Sequence, residues 1–312
     1  MRIGSKTVVI LGSSVLILII ILSIFSSIII SNGFEKTMRE TAEEEAQQVV
    51  RLLNNDISVL DRSTTDYAAW DETYDFVLGQ DPIYPDIVTT GISFGPESID
   101  AYIVTDLNGT ILLGIQYDSM NQTFVNITEG MGALFSVGGM VDGVSLDQYG
   151  ISGIIRADDR IYEIATEQVL RSNGSGPSPG YVSLLRQVNQ DTMDRFDLLM
   201  SAEITWYQYS GTPPGEFGSP SWAEIFSKGT VSNGALTDTS ISGLALVKDI
   251  AGTGALVLRT ELTLGPIERG RESVFILVST MIFIGAIFLM LTVFFLRWSV
   301  TSKLSRLDRN VT

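Results

Sequence analysis

The sequence predicts an α+β domain held between two membrane-spanning helices, and three observations predict it. Residues 7–30 and 273–296 form two uncharged apolar runs. The first is followed, over residues 34–61, by a stretch rich in Glu, Ala, Gln, Leu and Arg with no proline or glycine, a composition that favours helix. Beyond it the hydrophobic period becomes alternating, with short turns between the runs, as in an antiparallel sheet. A long helix introducing antiparallel strands is an α+β arrangement. The implied organisation is a cytoplasmic stub and first transmembrane helix at 1–31, an enclosed domain at 32–272, a second transmembrane helix at 273–296 and a basic cytoplasmic segment at 297–312.

Each apolar run has about 24 residues, which as a helix covers roughly 36 Å, enough for a bilayer core of about 30 Å with some tilt. The first run is longer than the hydrophobic region of a secretory signal, and Ser31-Asn32-Gly33-Phe34 is not a small-residue cleavage site, so it is predicted to stay as an anchor. Basic residues near the spans lie at the chain ends (Arg2, Lys6, Arg297, Lys303, Arg306, Arg309) and on the enclosed side (Lys36, Arg39, Arg259, Arg269, Arg271). The slight excess at the ends puts the ends in the cytoplasm of a plasma-membrane protein and the central domain outside.

The chain carries 20 basic and 36 acidic residues, a formal charge of −16, and of the acidic ones only Asp308 lies outside the enclosed domain. So negative a surface disfavours nucleic acid and anionic headgroups as partners. Cysteine and histidine are both absent. That removes thiol nucleophiles, disulfides, Cys/His zinc sites, the Ser-His-Asp triad and a phosphoacceptor histidine within this chain.

The predicted helix at 34–61 has an apolar stripe of Met38, Ala42, Val49, Leu52, Leu53, Ile57 and Leu60 at spacings of three and four. Such a stripe packs on its own domain or on a second copy, and the two uses are compatible. Next comes the densest aromatic and acidic cluster, Asp66-Tyr67-Ala68-Ala69-Trp70-Asp71-Glu72-Thr73-Tyr74-Asp75-Phe76-Val77. On a helix Tyr67, Trp70, Tyr74 and Val77 share a face, with Asp71 and Asp75 one turn apart beside it. An Asp pair next to an aromatic wall can hold a cation or amine through carboxylate contact and cation–π attraction. The same stripe also suits a core whose polar tips are satisfied by neighbours.

A proline-containing loop is expected over 81–96. Strands follow at 99–105 and 110–116, joined by Asp106-Leu107-Asn108-Gly109, whose Asn-Gly suits positive φ in a tight hairpin. A weakly helical, glycine-rich stretch at 131–143 precedes strands at 152–156 and 161–170, joined by Ala157-Asp158-Asp159-Arg160. An exposed loop at 172–180 leads to a strand at 181–188 and a short helix at 191–200. Strands at 203–209, 243–249 and 255–262, with a Gly/Pro/Ser-rich insertion at 211–220, either close this domain or form a second small one. Asn108-Gly109-Thr110, Asn121-Gln122-Thr123, Asn126-Ile127-Thr128 and Asn173-Gly174-Ser175 match the N-glycosylation sequon, in keeping with an outside location.

Motifs for catalysis are incomplete. Gly252-Thr253-Gly254 and Gly174-Ser175-Gly176 do not extend to G-x-G-x-x-G, and Asp158-Asp159 and Glu43-Glu44-Glu45 lack calcium-loop spacing.

Residues 66–76, with Tyr84 and the hairpin at 103–114, resemble the type-four CHASE domain, an extracellular sensory module associated with cyclases and histidine kinases and related to Cache and PAS folds. Ser152-Gly153-Ile154-Ile155, the run Pro179-Gly180-Tyr181-Val182-Ser183-Leu184-Leu185-Arg186, and Asp249-Ile250-Ala251-Gly252 with Leu258-Arg259 extend the resemblance over most of 35–270. It implies a PAS/Cache-like antiparallel sheet behind the long helix. The segment from Arg297 to Arg309 is similar to the start of a HAMP linker, a cytoplasmic helical module, without its early proline or its second helix.

The resulting expectation is the ligand-sensing input half of a transmembrane receptor, non-enzymatic and without cofactor or metal. Its partners are the lipid bilayer, a small-molecule ligand, a second copy of the chain, and a separate or downstream kinase or cyclase effector. Trp70, Asp71 and Tyr74, then Asp66 and Arg186, are the candidate ligand-binding residues. The alternative is a membrane-anchored surface interaction protein without signalling output, and carboxylate-only ectoenzyme chemistry stands as a third reading.

Overall fold

The computed structural model describes residues 3–95, 98–136, 138–141, 150–209, 222–233, 240–263 and 275–295. The insertion at 211–220 and the HAMP-like segment at 297–309 lie outside the described residues. In order the elements are α1 (Ile3–Ala68), α2 (Asp71–Val77), α3 (Tyr84–Gly91), β1 (Ala101–Asp106), β2 (Ile111–Asp118), β3 (Thr123–Asn126), α4 (Glu129–Phe135), β4 (Ile151–Ala157), β5 (Arg160–Gln168) and β6 (Gly180–Gln187). Then come α5 (Gln190–Asp197), β7 (Glu203–Gln208), α6 (Trp222–Lys228), β8 (Thr230–Asn233), β9 (Ser240–Lys248), β10 (Gly254–Thr263) and α7 (Phe275–Phe295). They fall into two units, residues 1–39 with 263–312, and residues 40–262.

In the first unit the N-terminal part of α1 and the helix α7 are each long and apolar enough to cross a membrane. Their bulky side chains point outward, with Phe25 64% and Phe283 67% exposed. Exposed in water, apolar surface costs about 25 cal/mol per Å², a cost that hydrocarbon removes. Within this unit Gly12 sits against Leu289 and Gly285 against Ile19. Small residues of this kind let apolar helices approach closely where no hydrophobic force draws them together.

The second unit is the predicted α+β domain. A six-stranded antiparallel sheet runs β3-β2-β1-β6-β5-β4, and a separate four-stranded sheet runs β7-β10-β9-β8. The second half of the domain therefore has its own sheet, yet it shares a core with the first. Ala46, Val49, Leu53 and Ile57 of α1 bury themselves among Ile161 of the large sheet, Val188 just beyond it, and Leu256 and Leu258 of the small one. Further along the helix, Leu60 and Ala68 join Tyr84, Tyr102 and Leu184 on the same face of the large sheet. α4 covers the opposite face, placing Met131 and Phe135 on Ile103, Ile164 and Leu185. The predicted stripe thus packs on its own domain. It passes β9 so closely that a Cβ at Gly243 would strike the Ala42 carbonyl.

Aspartate organises two of the turns in the same way. In Asp106-Leu107-Asn108-Gly109-Thr110 the Asp106 carboxylate accepts from the N–H of Asn108 and of Thr110, both at 2.8 Å, with Gly109 at φ +78°. Asp249-Ile250-Ala251-Gly252-Thr253 repeats this, with Asp249 accepting from Ala251 at 3.0 Å and Thr253 at 2.8 Å and Gly252 at φ +82°. Between β4 and β5, Asp158 and Asp159 take positive φ themselves, a conformation Asp tolerates better than most residues.

Two expectations need correction. The helix predicted to carry Tyr67, Trp70, Tyr74 and Val77 on one face is broken: α1 stops at Ala68 and α2 begins at Asp71, with Trp70 extended between them at φ −78°, ψ 136°. The break turns α2 back over the sheet, where the Thr73 hydroxyl donates to the Tyr67 carbonyl at 2.8 Å. The loop expected over 81–96 contains α3, whose Pro85 stands in the first turn, where a missing N–H costs nothing, and whose Tyr84 and Val88 are buried one turn apart. The sequence reading also passed over β3, whose four residues are too few for an alternation signal.

A chain of hydroxyls ties these pieces together. Tyr102 and Tyr84 hydroxyls lie 2.6 Å apart and Tyr84 and Thr73 hydroxyls 2.7 Å apart, all buried. Since Thr73 spends its one proton on the Tyr67 carbonyl, Tyr84 must donate to Thr73 and Tyr102 to Tyr84. Every proton has an acceptor, and the series connects β1, α3, α2 and the end of α1.

An ion network pins α1 to the sheet. Arg186 on β6 faces its cross-strand partner Glu163 on β5 and donates to it through Nε at 2.7 Å. Its Nη2 reaches the Asp56 carbonyl of α1 at 2.9 Å, and Arg195 of α5 pairs with the Asp56 carboxylate at 2.8 Å. Glu163 is 1% exposed, and burial pushes its carboxyl up to about 7 although the Arg186 guanidinium pulls it down. Burial, with the Asp61 carboxylate, also raises Glu167 to about 7, and burial raises Asp100 to about 6.

Tyr84→Phe is expected to destabilise a soluble 35–270 fragment by about 1–3 kcal/mol, because it strands the buried Tyr102 O–H. Tyr102→Phe leaves no orphaned donor and should cost less. Urea unfolding of the two variants checks the order; equal losses would contradict the donor sequence. The raised carboxyls make the folded chain bind more protons than the unfolded one between pH about 4 and about 7. Stability should therefore fall as pH rises through that window, read as a lower Tm at pH 7.5 than at pH 5.5, and Glu163→Gln should flatten the slope. Asp71, held below its ordinary value chiefly by the Ser172 N–H, loses its contribution only at more acid pH.

Candidate functional site

The residues singled out in the sequence gather at the junction of α1 and α2, with one exception. Trp70 packs edge-on against Tyr67, ring centres 5.1 Å apart. Asp71 and Glu72 fill the first turn of α2, where negative charge suits the helix N-terminus. Asp71 and Asp75 project one turn apart and Tyr74 lies between them, buried. Asp66 is exposed on the last turns of α1. Arg186 belongs to the buried network with Glu163 and Asp56, and no contact among the described residues joins it to Trp70, Asp71 or Tyr74.

The Asp pair holds a cation, and the chain itself supplies it. Arg171, just beyond β5, places one guanidinium nitrogen 3.1 Å from Asp75 and another 3.7 Å from Asp71, with its central carbon 4.3 Å from the centre of the Tyr74 ring. The Ser172 N–H and hydroxyl donate to Asp71 at 3.1 and 3.0 Å. The Tyr74 hydroxyl donates to the Pro177 carbonyl at 3.2 Å. Three side chains of α2 thus fasten the loop between β5 and β6. The Arg171 side chain remains 38% exposed and that of Asp71 50%, so solvent screens these pairs and each adds little to stability. Arg171 was missed in the sequence because its partners lie about a hundred positions upstream. Among the described residues no group of three or more acidic side chains converges as a metal site.

No curated protein matches the chain. Among solved structures, it matches the periplasmic domain of LuxQ from Vibrio cholerae with 10% identity and a TM-score of 0.44, covering 71% of this chain and 98% of that one. The periplasmic sensory domain of the Campylobacter jejuni chemoreceptor Tlp1 matches with 10% identity and a TM-score of 0.42, covering 79% and 98%. The ligand-binding domain of the Pseudomonas fluorescens chemoreceptor CtaA, solved with L-isoleucine, matches with 11% identity and a TM-score of 0.36, covering 80% and 97%. The model of the CHASE4 domain matches residues 52–207, from the middle of α1 to β7 and across the whole large sheet. The match takes in the Trp70 to Phe76 cluster, the hydroxyl chain and the Arg186 network, and with half of its length so matched the chain belongs to the CHASE4 domain family.

Proposed function

We propose that this chain is the extracytoplasmic, ligand-sensing input of a transmembrane receptor. The observation that carries the reading is the position of the CHASE4 match, residues 52–207, between two helices long and apolar enough to cross a membrane. In this reading the chain catalyses nothing. The domain spans 32–272 outside the plasma membrane, a second copy pairs with it, and a kinase or cyclase effector receives the signal inside.

The candidate ligand site is the surface of Trp70, Asp71 and Tyr74, with Asp66 nearby in sequence. The guanidinium of Arg171 indicates the chemistry this surface takes, a small cation or amine set between two carboxylates and an aromatic face. A ligand competing for Asp71 would release Arg171 and the loop behind it. Such a ligand shifts the receptor only through its different affinity for the fastened and released forms, so the exchange must alter the packing at the α1–α2 junction to be felt. Arg186 serves this scheme from beneath, by holding α1 on the sheet.

The scheme is tested by thermal shift of a 35–270 fragment against a panel of amines and guanidinium compounds. A compound that raises Tm in the wild type is expected to lose its effect in Asp71→Asn and to act at lower concentration in Arg171→Ala. An undiminished shift in Asp71→Asn would assign Asp71 and Tyr74 to holding the loop alone.

A further inference from the structure

The two edges of the large sheet are treated differently. On the β4 side the edge is covered: the Ile250 N–H donates to the Ile154 carbonyl at 3.0 Å, and Arg156 donates to the Tyr209 carbonyl at 2.6 Å. On the other side β3 is the outermost strand and, among the described residues, pairs only with β2. An outer strand presents unpaired N–H and C=O groups to any passing strand, and chains guard such edges with charge, proline or cover. Here there is neither charge nor proline. Residues 119–128, Ser-Met-Asn-Gln-Thr-Phe-Val-Asn-Ile-Thr, are uncharged, and within them Met120 is 96% and Val125 42% exposed. A short β-prone run without charge is the composition of an aggregating segment.

The same run holds two sequons, Asn121-Gln122-Thr123 and Asn126-Ile127-Thr128, one in the turn entering β3 and one at its last residue. Both asparagines are exposed. The Asn121 amide donates to Asp118 Oδ2 at 2.7 Å, and N-substitution would leave it one N–H with which to keep that bond. We propose that Asn121 and Asn126 carry N-linked glycans that shield the open β3 edge of the sheet. In the reaction each Asn Nδ2 forms a bond to the anomeric carbon of a lipid-phosphate-linked oligosaccharide. The bond from that carbon to the phosphate oxygen breaks, the lipid phosphate leaves, and the amide gives up one proton. The donor and its transferase act outside the membrane, so the inference rests on the extracytoplasmic placement of the domain.

The sequence contains its own control in Asn310-Val311-Thr312, a sequon on the far side of the second apolar run. Full-length chain purified from the membranes of its own organism is cleaved after Asp and Glu. The peptide Ser119–Glu129 is then weighed, with the peptide that contains Asn310 beside it. The expected result is a glycan mass on Ser119–Glu129, lost stepwise in Asn121→Gln and Asn126→Gln, with Asn310 unmodified. The double variant should sediment as larger species than the wild type in detergent. Ser119–Glu129 at its bare mass with Asn310 also bare overturns the glycan proposal and leaves the receptor reading standing. A bare Ser119–Glu129 with a glycan on Asn310 overturns both, by reversing the orientation.

Discussion

The architecture of residues 40–262 depends on the way α1 is held over two sheets at once. Its stripe from Ala46 to Ile57 touches the large and the small sheet in one core, together with Met193 and Phe196 of α5, and from Leu60 to Ala68 the same stripe enters the next core. Each large aliphatic side chain buried there contributes about 1.5–3 kcal/mol, so the stripe supplies affinity but little register, since a slide by one turn would still bury apolar groups. Register comes from the ions. Arg186 meets one backbone carbonyl and one carboxylate at Asp56, and Glu163 sits directly across the strand pair to complete it. A buried ionic cluster of this kind adds little net stability, because desolvation offsets attraction, but breaking one partner is expensive. Glu163, whose carboxyl burial pushes up to about 7 against the pull of Arg186, shows how close that balance lies.

At its C-terminal end α1 is held by hydroxyls rather than charges. The donor series from Tyr102 through Tyr84 and Thr73 ends on the Tyr67 carbonyl, one of the last carbonyls of the helix and therefore one in need of a partner. The break at Trp70 and the stop of α1 are thus two aspects of one arrangement. The aromatic residues that looked like a binding wall divide accordingly: Tyr67 and Trp70 pack at the junction, Phe76 stacks on Tyr84 at 4.8 Å, and Tyr74 faces the loop.

The candidate site lies where the buried network gives way to exposed, individually weak contacts. Arg171 lies across Asp71, Asp75 and Tyr74 without being buried by them, and the loop that follows it is exposed from Ser172 to Pro177. Contacts of this strength are exchangeable at the energies small ligands provide, whereas those around Arg186 are not. That contrast separates the two arginines, Arg186 held in the buried network and Arg171 on the exposed loop.

Much was legible in the chain alone, because it depends on neighbours in sequence. The two apolar runs, the alternating strands, the helical stripe of α1 and the Asp106 turn are local patterns, and each appears in the fold where the sequence places it. The missing histidine and cysteine settle the excluded chemistry without any structure. What the tertiary structure alone decided is which distant residue answers each local demand. Asp71 and Asp75 at helical spacing require a cation, and only the fold brings Arg171 to them from about a hundred positions away. Asp56 and Glu163 require a counter-charge, which the pairing of β5 with β6 supplies as Arg186. The stop of α1 at Ala68, against an unbroken helical pattern, follows from hydrogen bonds to Thr73 and Tyr84 that no local period encodes.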